Sequence, residues 1–263
     1  NAYLNKGNAQ QKQGKLKQAL TNYKMAIKID PRFFEAYKNV GNVYHILYEF
    51  RKAENNYLKS ISIKPDYVEA YYHLGKLFIN QNKFHEAILK FNKLLSYEPN
   101  HENALNDIGI CYLKLEDFSK AINYFKKAIS NNPNFAEPYN NIGKIFQDEG
   151  KFEEAKNYYN KALTINPNSA STYNNLALIY ESKGKKEQAI KFYEKALSKN
   201  SSFCMAHRNL SRLIIYKSTD KQIALIKKLI KNTSLNENDK SHLYYAYAKM
   251  NEDLGKYKIA LDN

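Results

Sequence analysis

The chain has 263 residues, 43% hydrophobic and 25% charged, a balance that excludes a disordered segment and a membrane-embedded one. No apolar run reaches the ~20 residues a membrane-spanning helix needs, and no secretory leader is visible. The formal net charge of +15 is spread along the chain without a block of like charges, so a solvated lysine-rich surface is expected rather than a nucleic-acid or other polyanion site. Cys111 and Cys204 lie too far apart for a metal motif and give no disulfide framework; free thiols in the cytoplasm are expected.

A single period runs through the sequence. Pro31, Pro65, Pro99, Pro133 and Pro167 recur every 34 residues, as do Gly7, Gly41, Gly75, Gly109 and Gly143. Alanines from Ala19 to Ala189 and aromatics from Tyr23 to Tyr193 keep the same spacing. With Gly7 as position 8 and Pro31 as position 32, positions 4, 7, 8 and 11 fall on one face of a first helix (A). Positions 20, 24 and 27 belong to a second helix (B). Glycine at 8 lets the two helices approach closely, Gly14, Gly150 and Gly184 at position 15 suit the left-handed turn ending helix A, and proline at 32 stops helix B.

In chain order, unit 1–33 is the loosest, with Lys6 at position 7 and Gln10 at position 11. Units 34–67, 68–101, 102–135, 136–169 and 170–203 follow, their best copies reading "YKNVGNVYHI" from Tyr37, "YYHLGKLFIN" from Tyr71, "YNNIGKIFQD" from Tyr139 and "YNNLALIYES" from Tyr173. Segment 204–240 is a degenerate seventh unit with a longer polar loop. Segment 241–263 opens an eighth, with Gly255 at position 15 and Ala260 at position 20.

This pattern resembles the tetratricopeptide repeat, with Tyr or Leu at position 4 where that family usually has Trp. The resemblance implies an all-α, right-handed superhelical solenoid of helix-turn-helix repeats that acts as a bacterial protein–protein interaction scaffold. No catalytic residue, metal site or cofactor is expected. The glycines are used in packing, the six histidines show no ligand spacing, and no serine sits on a nucleophile elbow.

Position 6 reads Asn5, Asn39, His73, Asp107, Asn141, Asn175 and Asn209. It lies about 160° around helix A from positions 4 and 8, so an outward-facing column is expected. A carboxamide offers two donors and an acceptor, which suits the backbone of an extended peptide. The column resembles the asparagine ladder of O-linked N-acetylglucosamine transferase, which implies peptide binding by the five asparagines, with His73 and Asp107 interrupting the ladder or pairing with each other. On that reading, replacing Asn141, Asn175 and Asn209 by Ala weakens peptide binding and leaves the fold intact. Lys38, Asn42, Lys76, Lys144, Arg208 and Arg212 complete the candidate groove, Arg208 and Arg212 standing one turn apart for an acidic ligand group. Lys38 and Asn42 match the first half of a carboxylate clamp, but His73, Asn103 and Asp107 lack its cationic half, so no clamp is expected.

The stretch from "AHRNLSRLIIYKSTD" to "AYAKMNEDLGKY" resembles the junction in bacterial proteins that join such repeats to a sulfotransferase domain. The alternative function this implies is the substrate-recruiting arm of a sulfo- or glycosyltransferase whose catalytic domain lies beyond Asn263. Both ends fall within repeats and lack a polar capping helix, so a piece of a longer protein is expected, with self-association through its uncapped ends. Polyanion or nucleic-acid binding stands third.

Overall fold

The apolar spacing of 3.6 residues closes into helix throughout. The computed structural model describes residues 2–257; Asn1 and residues 258–263, Ala260 among them, lie outside the described residues. The described residues form fifteen α-helices and no strand, as the all-α reading requires.

The chain divides into two compact units, 1–134 and 135–263. The first holds α1 (Ala2–Lys12), α2 (Leu16–Ile29), α3 (Phe34–Ile46), α4 (Phe50–Ile63), α5 (Val68–Asn80), α6 (Phe84–Leu95), α7 (Glu102–Lys114) and α8 (Phe118–Asn131). The second holds α9 (Ala136–Asp148), α10 (Phe152–Ile165), α11 (Ala170–Ser182), α12 (Lys186–Lys199), α13 (Cys204–Ser211), α14 (Lys221–Ile230) and α15 (Glu237–Asp253). Odd-numbered helices are A helices and even-numbered ones B helices. Within each unit an A helix from α1 to α11 packs on its own B helix, and the B helix on the next A helix. Helix α13 has only 8 residues and α14 only 10, and α13 packs directly against α15.

Helix α5 shows the burial pattern. It buries Tyr71, Leu74, Gly75 and Phe78, the four consensus positions, and also Ala70 and Leu77 at positions 3 and 10. Positions 3 and 10 are likewise buried in α3 (Ala36, Val43), α7 (Ala104, Cys111), α9 (Pro138, Ile145) and α11 (Thr172, Ile179). An A helix therefore has two covered faces, one towards its own B helix and one towards the preceding repeat. Leu74, Leu77, Phe91, Leu94 and Ile108 are fully buried in the core of the first unit, each contributing roughly 1.5–3 kcal/mol.

Close approach is the reason for glycine at position 8. A Cβ built on Gly75 would lie 2.5 Å from Cε1 of Phe91. The turn after helix A takes a left-handed residue at position 15 in every unit but the seventh: Gly14, Gly150, Gly184 and Gly255, and also Tyr48 (φ 59°), Asn82 (φ 58°) and Glu116 (φ 59°). Among the described residues no helix is long and apolar enough to cross a membrane.

Two substitutions test this geometry by urea denaturation. Overpacking costs about 1–3 kcal/mol and the better helix propensity of alanine offsets about 1, so Gly75→Ala is expected to lose about 1 kcal/mol, the middle of the range that remains. A left-handed L-residue costs about 1–2 kcal/mol and glycine's chain entropy about 0.5–1, so Glu116→Gly is expected to gain about 0.5–1 kcal/mol. Unchanged midpoints for both would remove these contacts as determinants of stability.

Candidate functional site

Position 6 belongs to the stripe of positions 3, 6 and 10, which lie within about 60° of one another around the helix. The structure therefore turns it towards the preceding repeat rather than outward. Asn39, Asp107 and Asn209 are buried, His73, Asn141 and Asn175 half-buried, and Asn5 alone exposed. Two covered faces leave no room for a freely outward column.

The carboxamides here are linked from repeat to repeat. In the first unit, Asn39 Nδ2 donates to Asn8 Oδ1 at 2.9 Å, and the same oxygen accepts from the Tyr23 hydroxyl at 2.8 Å. The Tyr23 hydroxyl also lies 2.8 Å from Gln11 Oε1. Tyr57 donates to Asn42 Oδ1 at 2.8 Å, and His73 stacks on the Tyr57 ring with centroids 6.0 Å apart. Lys76 Nζ donates to the buried Asp107 at 3.1 Å. His73 and Asp107 thus find separate partners instead of each other. Tyr72, at position 5, packs against Phe91 and His101, and its hydroxyl faces Asp107.

In the second unit the link shifts to position 5. Asn175 Nδ2 donates to Asn140 Oδ1 at 3.3 Å, and Asn209 Nδ2 to Asn174 Oδ1 at 3.0 Å. Tyr159 donates to Gln147 Oε1, and Tyr193 to Glu181, whose other oxygen accepts from Arg212 at 2.9 Å. Arg208 and Arg212 therefore do not form one acid-binding pair. Arg212 is engaged by Glu181, while the Arg208 guanidinium lies 5.0 Å from the centroid of Tyr245. Lys144 is exposed.

Electrostatics follow burial. The Lys38 ammonium is held below its usual pKa by burial, against the raising influence of Glu69 and Glu35. Burial raises the Asp107 carboxyl, against the pull of Lys76. His73 is pushed down to about 4, first by burial and then by Lys38, His45 and Lys76, so its ring is neutral near pH 7. Both cysteines are free and buried, and burial raises both thiols.

Sequence reasoning missed Asn8, Gln11, Gln147 and Glu181, which receive the core phenols. The signal was present. Repeats with Tyr at position 24 carry an acceptor at position 9 or 12, whereas those with Phe91 and Phe125 carry Lys76 and Ile79, and Ile110 and Leu113.

One open hollow of about 410 Å³ lies on this face of the first unit, lined by Asn8, Gln11, Lys12, Asn39, Asn42 and Ile46. The single Tyr23 phenol proton is shared between the oxygens of Asn8 and Gln11, and the Tyr57 phenol holds the oxygen of Asn42. The Nδ2 of Asn8, Nε2 of Gln11 and Nδ2 of Asn42 make no hydrogen bond within the described chain. Among the described residues no group of three or more His, Cys, Asp or Glu is placed to hold a metal ion.

Two outcomes are expected. Asn209→Ala strands the buried oxygen of Asn174 and is expected to lower stability by about 1–3 kcal/mol, whereas Asn5→Ala, at an exposed site, changes it little; equal effects would contradict the link. His73 titrates lower in the folded state than in the unfolded, where its pKa is ~6.5. Its stabilising contribution is therefore complete above pH 6.5 and lost as pH falls towards 4. Asp107, raised by burial, acts oppositely at the acid end of that window. Thermal unfolding at pH 7 and pH 4.5 is expected to show a smaller acid loss for His73→Phe, which keeps the stack, than for the unsubstituted chain. An identical loss would exclude His73 as the titrating group.

Models of the tetratricopeptide repeat match residues 7–47, 68–101, 102–135 and 134–199, together more than half of the chain. No curated protein matches the sequence. Among solved structures, a tetratricopeptide repeat protein from Parabacteroides merdae superposes with a TM-score of 0.73 at 18% identity, over 93% of this chain and 97% of that one. MamA matches with a TM-score of 0.56 at 26% identity, over 63% of this chain and 96% of its own. YrrB, described as a protein of this type with an unusual peptide-binding site, matches at 0.51 and 23% identity over 70% and 95%. With helix pairs of this geometry and repeat models matching along it, the chain belongs to the tetratricopeptide repeat family.

Proposed function

We propose that the chain is a protein-interaction scaffold that binds an extended polypeptide segment on its A helices. The observation that carries this reading is the carboxamide-lined hollow of the first unit. The core phenols of Tyr23 and Tyr57 fix which end of each amide points inward, leaving the N–H donors of Asn8, Gln11 and Asn42 for carbonyl oxygens of a bound peptide. Donors held in place by the core lose little freedom on binding, which is how preorganisation favours affinity. Ile46, half exposed at the edge, offers apolar contact, and Lys12 an ammonium for an acidic side chain.

Three backbone hydrogen bonds contribute about 0.5–1.5 kcal/mol each, against association costs of several kcal/mol. The expected binding is modest, with little side-chain preference. Asn5 and Lys144, both exposed, extend the same reading along their own units. The likeness to YrrB, at 23% identity, supports the fold and not the ligand.

Panning a random peptide display library against the chain tests the proposal. Captured peptides are expected to bind Asn42→Asp at least tenfold more weakly, because the carboxylate still accepts from Tyr57 but no longer donates. Ile46→Asp is expected to weaken them too, and thermal midpoints of both variants should stay close to that of the unsubstituted chain. Failure to capture any peptide, or capture by both variants with unchanged affinity, would overturn it.

A further inference from the structure

Arg208, at position 5 of α13, carries a guanidinium with no acidic partner among the described residues. Its Nε is buried and makes no hydrogen bond, and the same is true of Nε2 of His242 on α15, a residue only 8% exposed. Leaving a buried polar atom unpaired is costly, so two such atoms on one packed helix pair need an explanation. Packing supplies the placement: the short α13 lies directly on α15. The Arg208 charge reaches His242, and Tyr245, one turn further along α15, lays its ring over the guanidinium. That ring is 46% exposed.

We propose that Arg208 and His242 form a binding site for an oxyanion, a carboxylate or a phosphoryl or sulfuryl group, with Tyr245 as its movable cover. The guanidinium is half-buried, and its open end draws the anion in. Once the Tyr245 ring turns aside, the anion accepts from Nε–H of Arg208 and from Nε2–H of His242. Arg212 takes no part, because Glu181 already engages it. The charged and titratable groups facing His242 are Arg208 from α13 and Asp239 from its own helix. Burial and Arg208 together hold the ring neutral near pH 7, with Asp239 opposing them. A bound anion acts in the same direction as Asp239 and therefore raises the midpoint of the ring. The site stands independently of the carboxamide hollow, which lies in the other unit.

The test follows the His242 ring by NMR while pH is varied, in sodium sulfate, sodium glutarate and sodium chloride at matched ionic strength. The expected result is a higher midpoint in sulfate or in glutarate than in chloride, and the anion that produces it identifies the class of ligand. In Arg208→Gln the rise is expected to vanish. Arg208→Lys, keeping the charge but not the fork, should show a smaller rise, and serves if the glutamine variant does not fold. The same midpoint in all three salts, or a rise that persists undiminished in both variants, would overturn the proposal.

Discussion

At position 8 of five repeats, glycine lets the ring at position 24 come so close that a Cβ would lie 2.5–2.7 Å from its nearest atom. That contact sets the distance between helices A and B, and with it the position of the ring's far end. Where the ring is tyrosine, its hydroxyl reaches the side chains at position 9 or 12 of helix A. Tyr23 meets Asn8 and Gln11, Tyr57 meets Asn42, Tyr159 meets Gln147 and Tyr193 meets Glu181. Tyr193 does so beneath Ala177, so the phenol reaches its acceptor without glycine above it. A buried phenol needs such a partner. Phenylalanine does not, and beside Phe91 and Phe125 the acceptors are missing.

This coupling determines which polar groups are left for a ligand. The side chain that receives the phenol also receives the next repeat: Asn8 accepts Tyr23 and Asn39 on one oxygen, and Glu181 accepts Tyr193 and Arg212 on its two oxygens. The polar stripe of helix A is thereby part of the packing within each unit, which explains why Asn39 and Asn209 are buried although they are polar. On the two proposals made above, binding takes place where one end of a group is held and the other is open, as at Asn8, Gln11 and Asn42, or where a donor has no partner, as at Arg208 and His242. The hydrogen bonds within a repeat and to the next thus fix the orientation of these amide groups.

Much of this was legible in the sequence. The 34-residue period locates the helix pairs, and Gly75 and its equivalents mark the close approach. The left-handed turn was legible at Gly14 and Gly150 but not at Tyr48, Asn82 or Glu116, where local geometry overrides residue preference. The orientation of position 6 was misread because the consensus positions 4, 7, 8 and 11 describe only one covered face. Ala70 and Leu77, at positions 3 and 10, mark the second, and small or apolar residues there were the available sign. The pairing of Arg212 with Glu181 joins residues 31 apart on adjacent repeats and requires the stacking geometry to be seen. So does the meeting of Arg208 with His242.

A phenol at position 24 and an acceptor at position 9 or 12 work as one unit, and Phe125 offers the sharpest test because its repeat has neither. Urea unfolding of Phe125→Tyr, Ile110→Asn and the double variant forms a thermodynamic cycle within the first unit. Phe125→Tyr alone buries an unpaired hydroxyl and is expected to cost about 1–3 kcal/mol. With Ile110→Asn supplying the oxygen that Asn42 supplies to Tyr57, the double variant is expected to be more stable than the sum of the single losses, by about 1 kcal/mol or more. Strictly additive losses, or a Phe125→Tyr variant as stable as the unsubstituted chain, would contradict the account.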